Sequence, residues 1–339
     1  MTMRRNIIAL LIGLFLLIVI GIIFIVSSQI PETPRVYKIG ILVRGEGYDP
    51  AVEGYLKKMK ELGYEEGKNV IYDIRFVTAK EDLPVVAQEF IDAGVDLIHV
   101  YSTPATQAVY NATKDLPKPI PIVFGSMGDP LASGVVKGIQ SSGTNVTGVA
   151  SLSTELTAKR LELIQELFPA AKRVAMPHTA REAGDMAANI SVDIALETAE
   201  KLGMEIILFP VKDKADNTRV AKLIKKKDVE GIIVGGDSLI WGNIQDYINQ
   251  AIEEKLPLAA FDISQVKKGA LVGYGPDYAI SGEQSAVLTD KILKGRLPTE
   301  LPLEVPQKLI LAFNAKTAEK IGFAVPQNFL VKVDILVEE

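Results

Sequence analysis

Lys38-Ile39-Gly40-Ile41-Leu42-Val43, then a helical pattern to Leu62-Gly63, then Asn69-Val70-Ile71-Tyr72, opens a run of short apolar segments that this chain contains twice. The first run goes on through a helix to Ala93-Gly94, Val95-Asp96-Leu97-Ile98-His99-Val100, a third helix and Pro119-Ile120-Pro121-Ile122-Val123-Phe124. The second run begins at Lys172-Arg173-Val174-Ala175-Met176 and passes through a helix to Leu202-Gly203. It then reads Met204-Glu205-Ile206-Ile207-Leu208-Phe209, Val229-Glu230-Gly231-Ile232-Ile233-Val234 and Leu256-Pro257-Leu258-Ala259-Ala260-Phe261, with helices between. Short segments rich in valine and isoleucine, each followed by a helix, form parallel strands covered on both faces. The expected fold class is α/β: two doubly wound lobes with mostly parallel sheets. Two similar lobes with a gap between them are suited to closing on something small.

Working outward, residues 125–148 are rich in glycine and serine and read as the first crossover between lobes. After Phe261 come Ala270-Leu271-Val272-Gly273-Tyr274, a long helix over 278–293, prolines 298, 302 and 306, and a strand over 309–313. This tail belongs to neither run. It is expected to return to the first lobe and then recross, giving a hinge of three crossovers. The expected division is 1–29 a membrane anchor or signal segment, 30–36 a tether, 37–152 with 276–300 lobe 1, and 153–275 with 301–339 lobe 2.

The chain has 339 residues, 37 basic and 42 acidic, a net charge of −5. A nucleic-acid partner would want a basic face, so that class is excluded. Residues 7–26 hold no charged or polar side chain, and Arg4 and Arg5 precede them. A helix of that length spans about 30 Å, the thickness of a bilayer's hydrocarbon core. Basic residues stay in the cytoplasm, which puts the rest of the chain on the extracytoplasmic face. The run exceeds the roughly 7–15 apolar residues of a cleaved signal. It therefore reads as a retained transmembrane helix, with cleavage and a periplasmic or secreted product as the alternative. There is no cysteine, hence no disulfide and no lipidated cysteine.

In open parallel sheets, ligands bind beyond the carboxyl ends of the strands. Helix N-termini point there with free N–H groups and partial positive charge, which suits an anion. The residues just after each strand are therefore the candidates. Arg44 and Tyr48 follow the first strand, around Gly45 and Gly47. Ser102 and Thr103 follow the third, with Pro104 and Gln107 beyond. Ser126 and Asp129 follow the fourth. In the second run the matching residues are His178, Asp237, Ser238 and Asp262, and Tyr274 lies further on. Ser102 or Thr103 is a candidate helix cap whose hydroxyl and backbone donors also face the cleft, and capping explains Ser238 well. Asp237 is less easily explained that way and could accept from a ligand amine; Asp129 could do the same or cap the segment after it. His99 lies inside a strand and reads as a core residue.

Two histidines and no cysteine exclude thiol chemistry and a His/Cys metal site. No Gly-x-Ser-x-Gly and no Gly-x-x-x-x-Gly-Lys is present. No catalytic residue, metal or cofactor is expected.

Several blocks carry a likeness to a known family. They are Glu61-Leu62-Gly63-Tyr64 with Glu66-Gly67-Lys68-Asn69-Val70, Ser102-Thr103-Pro104-Ala105 with Gln107-Ala108, and Asp129-Pro130 with Gly134-Val135-Val136 and Asn145-Val146-Thr147-Gly148. Lys159-Arg160-Leu161-Glu162-Leu163 before Lys172-Arg173-Val174-Ala175 is a further block, as is Gly269-Ala270-Leu271 with Gly273-Tyr274 and Gly282. In this order they resemble the extracytoplasmic solute-binding proteins of ABC transporters that include the tryptophan/tyrosine uptake group. The resemblance implies a type I periplasmic-binding-protein fold and a cleft ligand, often an aromatic amino acid. It implies cleft roles for Ser102, Thr103, Gln107, the Asp129 region, Asp237 and Tyr274. Pro177-His178 and Arg44-Gly45-Glu46-Gly47 depart from the family's usual residues.

The expected function is a membrane-tethered receptor that captures a small carboxylate-bearing solute and delivers it to ABC permease subunits. The alternatives are a sensory module signalling through a membrane partner, and a cleft hydrolase.

Overall fold

The computed structural model describes residues 35–45, 47–183 and 185–338. The chain divides into a unit ending at Tyr37 and a second from Lys38, and the architecture below is that of the second. The expected membrane segment and most of the tether lie outside the described residues. Among the described residues no helix is long and apolar enough to cross a membrane.

The first sheet has β1 (Tyr37–Arg44), β2 (Val70–Val77), β3 (Leu97–Tyr101), β4 (Ile122–Met127) and β5 (Val146–Ala150), in the order β2-β1-β3-β4-β5. The pairs β1/β3, β3/β4 and β4/β5 are parallel. Its helices are α1 (Asp49–Glu61), α2 (Leu83–Asp92) and α3 (Thr103–Thr113). β3, β4 and β5 are buried at every position, as strands covered on both faces must be.

After β5 the chain crosses to α4 (Thr157–Leu167) and the second sheet. That sheet has β6 (Arg173–Thr179), β7 (Glu205–Val211), β8 (Gly231–Ile233), β9 (Leu258–Ala260), β10 (Val272–Pro276), β11 (Leu309–Asn314) and β12 (Ile335–Val337). Their order is β12-β11-β10-β9-β8-β6-β7, with only β10/β11 antiparallel. Its helices are α5 (Met186–Leu202), α6 (Asp216–Ala221), α7 (Ser238–Gly242), α8 (Ile244–Glu253) and α9 (Ile263–Lys267). The tail adds α10 (Tyr278–Leu293), α11 (Ala315–Ile321) and α12 (Gln327–Leu330).

α10 leaves the second sheet after β10 and packs on α1 of the first lobe. The approach is backbone on backbone. A Cβ at Gly54 would lie 2.1 Å from the Ala279 carbonyl oxygen, and one at Gly282 2.0 Å from that of Ala51. Only glycine permits a crossing that close. The chain then touches β5, where Ala150 N donates to Glu304 O at 2.8 Å, before it recrosses into β11. The body is thus an α/β fold of two lobes joined by several strands of chain, each lobe with its own core.

Candidate functional site

The carboxyl ends of both sheets face one small cavity of about 20 Å³. Lobe 1 contributes Tyr48 before α1, Thr103 at the start of α3, and Gly128 after β4. Ser151 and Ser153 come from the crossover after β5. Lobe 2 contributes Ala187 in the first turn of α5, Gly236, Asp237 and Ser238 after β8, Trp241 in α7, and Phe261 after β9. The wall combines polar side chains and glycines with the three rings of Tyr48, Trp241 and Phe261.

The rings join the lobes. Tyr48 meets Trp241 edge to face at 4.3 Å between centroids, with planes at 89°. Trp241 stacks on Tyr278, the first residue of α10, at 5.6 Å and 22°, and lies 5.6 Å from Phe261. Tyr101 backs Tyr48 at 5.5 Å. The Tyr48 and Tyr278 phenols both lie by Ser126, and burial pushes both far up, so they stay protonated.

Several residues expected at the site are there as structural supports. Ser102 caps α3: its Oγ accepts from Ala105 N at 3.4 Å, and its backbone is strained at φ 91°. Thr103 Oγ1 accepts from Gly128 N at 3.2 Å, tying the β3 and β4 ends together. Asp237, not Ser238, caps α7. Its oxygens accept from Thr179 N at 2.5 Å, Thr179 Oγ1 at 2.8 Å, Leu239 N at 3.0 Å and Ile240 N at 3.1 Å. Burial raises the Asp237 carboxyl, and these donors pull it back. Asp262 caps α9 with Oδ1, taking Ser264 N at 2.7 Å and Gln265 N at 3.2 Å, while its buried Oδ2 has no partner.

Others stand away from the cavity wall. Gln107 donates to Ser133 O at 3.1 Å. Asp129 accepts from Ala132 N at 2.9 Å, the plain capping role. His178 bonds Thr179 O through Nδ1 at 2.9 Å, and burial lowers its pKa. Tyr274 packs into the lobe 2 core around Leu161 and Phe313 instead of reaching the cleft. A strand's alternation explains it: a Cβ at Gly273 would meet Val266 at 2.6 Å, so Tyr274 takes the other face. His99 is fully buried, with Nε2 2.9 Å from Ser285 Oγ, and burial lowers its pKa to about 3.

The sequence reading missed Ser151, Ser153, Trp241, Phe261, Tyr278, Arg160 and Asp185. Ser151 and Ser153 follow β5, a strand of the first sheet that begins inside the 125–148 stretch expected to be the crossover, so the strand-end rule was not applied there. Arg160 in α4 is fully buried. Its Nη1 donates to Ser153 O at 3.0 Å and Val234 O at 3.3 Å, and its guanidinium lies 4.7 Å over the Phe261 ring. Burial draws its pKa down to about 10. Asp185 caps α5, accepting from Ala188 N at 3.2 Å. Burial, and next the Asp237 charge, push its carboxyl up to about 6; Arg44 and Lys80 of lobe 1 oppose this. Lys80 reaches across to Ala183 O at 3.4 Å, and Arg44, half-buried, keeps an unpartnered Nε.

The hollow between the lobes is narrow. The description "ABC transporter substrate binding protein" belongs to the family whose profile matches residues 38–336. A "Tyrosine-binding protein" of Clostridioides difficile (strain R20291) is 31% identical over 297 residues, 86% of this chain and 82% of that one. A ligand-free, open substrate binding protein with adhesive properties from Clostridium difficile has 27% identity and a TM-score of 0.65, over 90% of this chain and 100% of that one. The ABC domain of a Streptococcus pneumoniae protein in complex with L-Trp, 22% identical, reaches a TM-score of 0.79 over 88% and 100%. The chain belongs to the ABC transporter substrate binding proteins. It is the solute-binding partner of a membrane ABC transporter, works outside the cytoplasm, has the two-lobe type I periplasmic-binding-protein fold, and is not an enzyme.

Proposed function

We propose that the solute is an α-amino acid, held with its charged end toward Thr103, Ser151 and Ser153 and its side chain toward the rings. The observation that carries this is the cavity's mixed wall, with the hydroxyls of Thr103, Ser151 and Ser153 and the glycines 128 and 236 lining it together with the rings of Tyr48, Trp241 and Phe261. The N-terminus of α3 adds partial positive charge for a carboxylate. The N-terminus of α7 does not, because the Asp237 carboxylate already occupies it. The tyrosine-binding relative supports an amino acid, and among amino acids it puts aromatic ones first. Residues 7–26 anchor the body to the outer face of the membrane in this reading, with Arg4 and Arg5 inside. The chain has a single tryptophan, Trp241, and it lines the cavity. Its emission is therefore a direct probe: titrating the purified protein with the common amino acids, and with sugars as controls, should give a saturable change for one or a few amino acids. A response to sugars alone, or to nothing, would sink the reading.

A further inference from the structure

Lobe 1 leaves one side of β2 unused. β2 is the outer strand of the first sheet, and among the described residues no strand pairs with its far side. Successive residues of a strand turn their N–H and C=O groups to opposite sides. Val77 O accepts from Gly45 N, at the end of β1, at 3.2 Å, so the odd-numbered residues of β2 turn inward. Val70 O, turned outward, accepts from Gly67 N at 2.9 Å, which closes that end. Tyr72, Ile74 and Phe76 therefore present a row of N–H and C=O groups on the open side. Such a row is a template for another strand. Edges are commonly blunted by proline or by shortness, and β2 has 8 residues and no proline. It also holds large apolar side chains in water, with Phe76 59% exposed and Ile71 49%. The guard that remains is charge, and the two charges, Asp73 and Arg75, are of opposite sign.

We propose that β2 is a docking edge for a second copy of this chain, the two strands pairing antiparallel about a two-fold axis at Ile74. Charge sets the register. Outward-turned residues must face outward-turned residues, so near the middle of the strand the axis can pass through Asp73, Ile74 or Arg75. An axis at Asp73 sets that carboxylate against its own copy, and an axis at Arg75 does the same with two guanidiniums. Like charges directly opposite are destabilising. Only the axis at Ile74 sets Asp73 against Arg75 of the second copy, and does so twice. These are pairs of the closer, non-hydrogen-bonded kind, with Cα atoms about 4.5 Å apart. Within one chain Arg75 already meets Asp73 at 2.5 Å and Glu89 of α2 at 3.2 Å, so the charges alternate around the axis. In the same register Tyr72 faces Phe76 of the second copy, and the outward residues exchange about six hydrogen bonds. The pairing uses lobe 1 alone. Each second lobe stays free to hinge, and the inference holds whatever solute the cleft takes.

Sedimentation velocity of the purified full chain in detergent, at tens of micromolar, tests this. The wild type is expected to run as a dimer. Asp73→Arg makes both charges of the strand positive, and Arg75→Asp makes both negative. Each variant alone then faces itself with like charges and should dimerise at least about tenfold more weakly. Mixed in equal amounts, the two variants should restore the dimer. A role of the Asp73–Arg75 pair inside one chain cannot be rescued in this way by a second chain. Ile74→Pro removes an N–H on the open side only, so it spares the pairing with β1 and should also be monomeric. It decides the matter if circular dichroism shows either charge variant unfolded. A monomeric wild type overturns the proposal. So does a dimer that persists in every variant, which would place the contact elsewhere, and so does a mixture of folded charge variants that fails to associate.

Discussion

Replacing Gly282 by alanine puts one methyl group where α10 meets α1. The methyl carbon would lie 2.0 Å from the Ala51 carbonyl oxygen and 2.9 Å from Tyr55 N. Carbon–oxygen contacts settle at about 3.3–3.6 Å, so the helices must part by roughly 1 Å or more. The obstacle is backbone, which has no rotamer to turn away. The same Ala51 oxygen accepts the Tyr101 hydroxyl at 3.0 Å, and both groups are buried. Overpacking of this kind costs about 1–3 kcal/mol. Straining or losing the Tyr101 bond adds roughly 1 kcal/mol. Alanine's better helix propensity returns about 1 kcal/mol. The net expectation is about 1–3 kcal/mol of destabilisation, and roughly 2–6 °C in Tm. Urea unfolding followed by circular dichroism measures it. Gly242→Ala is the control, since a Cβ there meets nothing within 4 Å, and it should change stability by less than about 0.5 kcal/mol. If Gly282→Ala were as stable as the control, the inference that α10 is locked onto α1 by backbone contact would be refuted.

Arg160→Met keeps the length of the side chain but leaves the Ser153 and Val234 carbonyls without their donor, so the protein should lose about 2–4 kcal/mol in denaturant titrations; a variant as stable as wild type would show that this buried cation is dispensable. The Asp185 carboxyl is pushed up to about 6 in the closed cleft by burial and by Asp237, and should return toward its ordinary 3.8 when the lobes part and water enters. Closing therefore takes up a proton. Closure is favoured as pH falls through about 6, and the gain levels off near the open-state value of about 4. His178, Arg181, Glu182, Arg44 and Lys80 surround this loop, so the Asp185→Asn variant is needed to assign the effect: Trp241 emission between pH 7.5 and 4.5 should shift in the wild type and stay flat in the variant, and equal shifts in both would acquit Asp185.

What the sequence determined by itself is everything that depends on near neighbours. Val and Ile runs separated by helical patterns fix strands and helices, because side-chain periods of about 2 and 3.6 are local properties. Ser102 before Thr103-Pro104 marks a helix start for the same reason, since a cap bonds only two or three residues ahead. The rule that ligands sit beyond the strand ends then gathered Tyr48, Thr103, Asp237 and Ser238 onto one cavity wall. The same reasoning could not tell that Asp237 would be saturated by Thr179, which lies 58 residues away in the chain. Nor could it tell that Tyr274 would turn into the lobe core, which hangs on a one-residue alternation set by packing around Gly273. Above all it could not find the ring cluster. Tyr48, Trp241, Phe261 and Tyr278 come from four separate segments and two lobes, and they meet only because the hinge brings the lobes together. That angle is a balance of many weak contacts spread over the whole body, and no short stretch of sequence carries it.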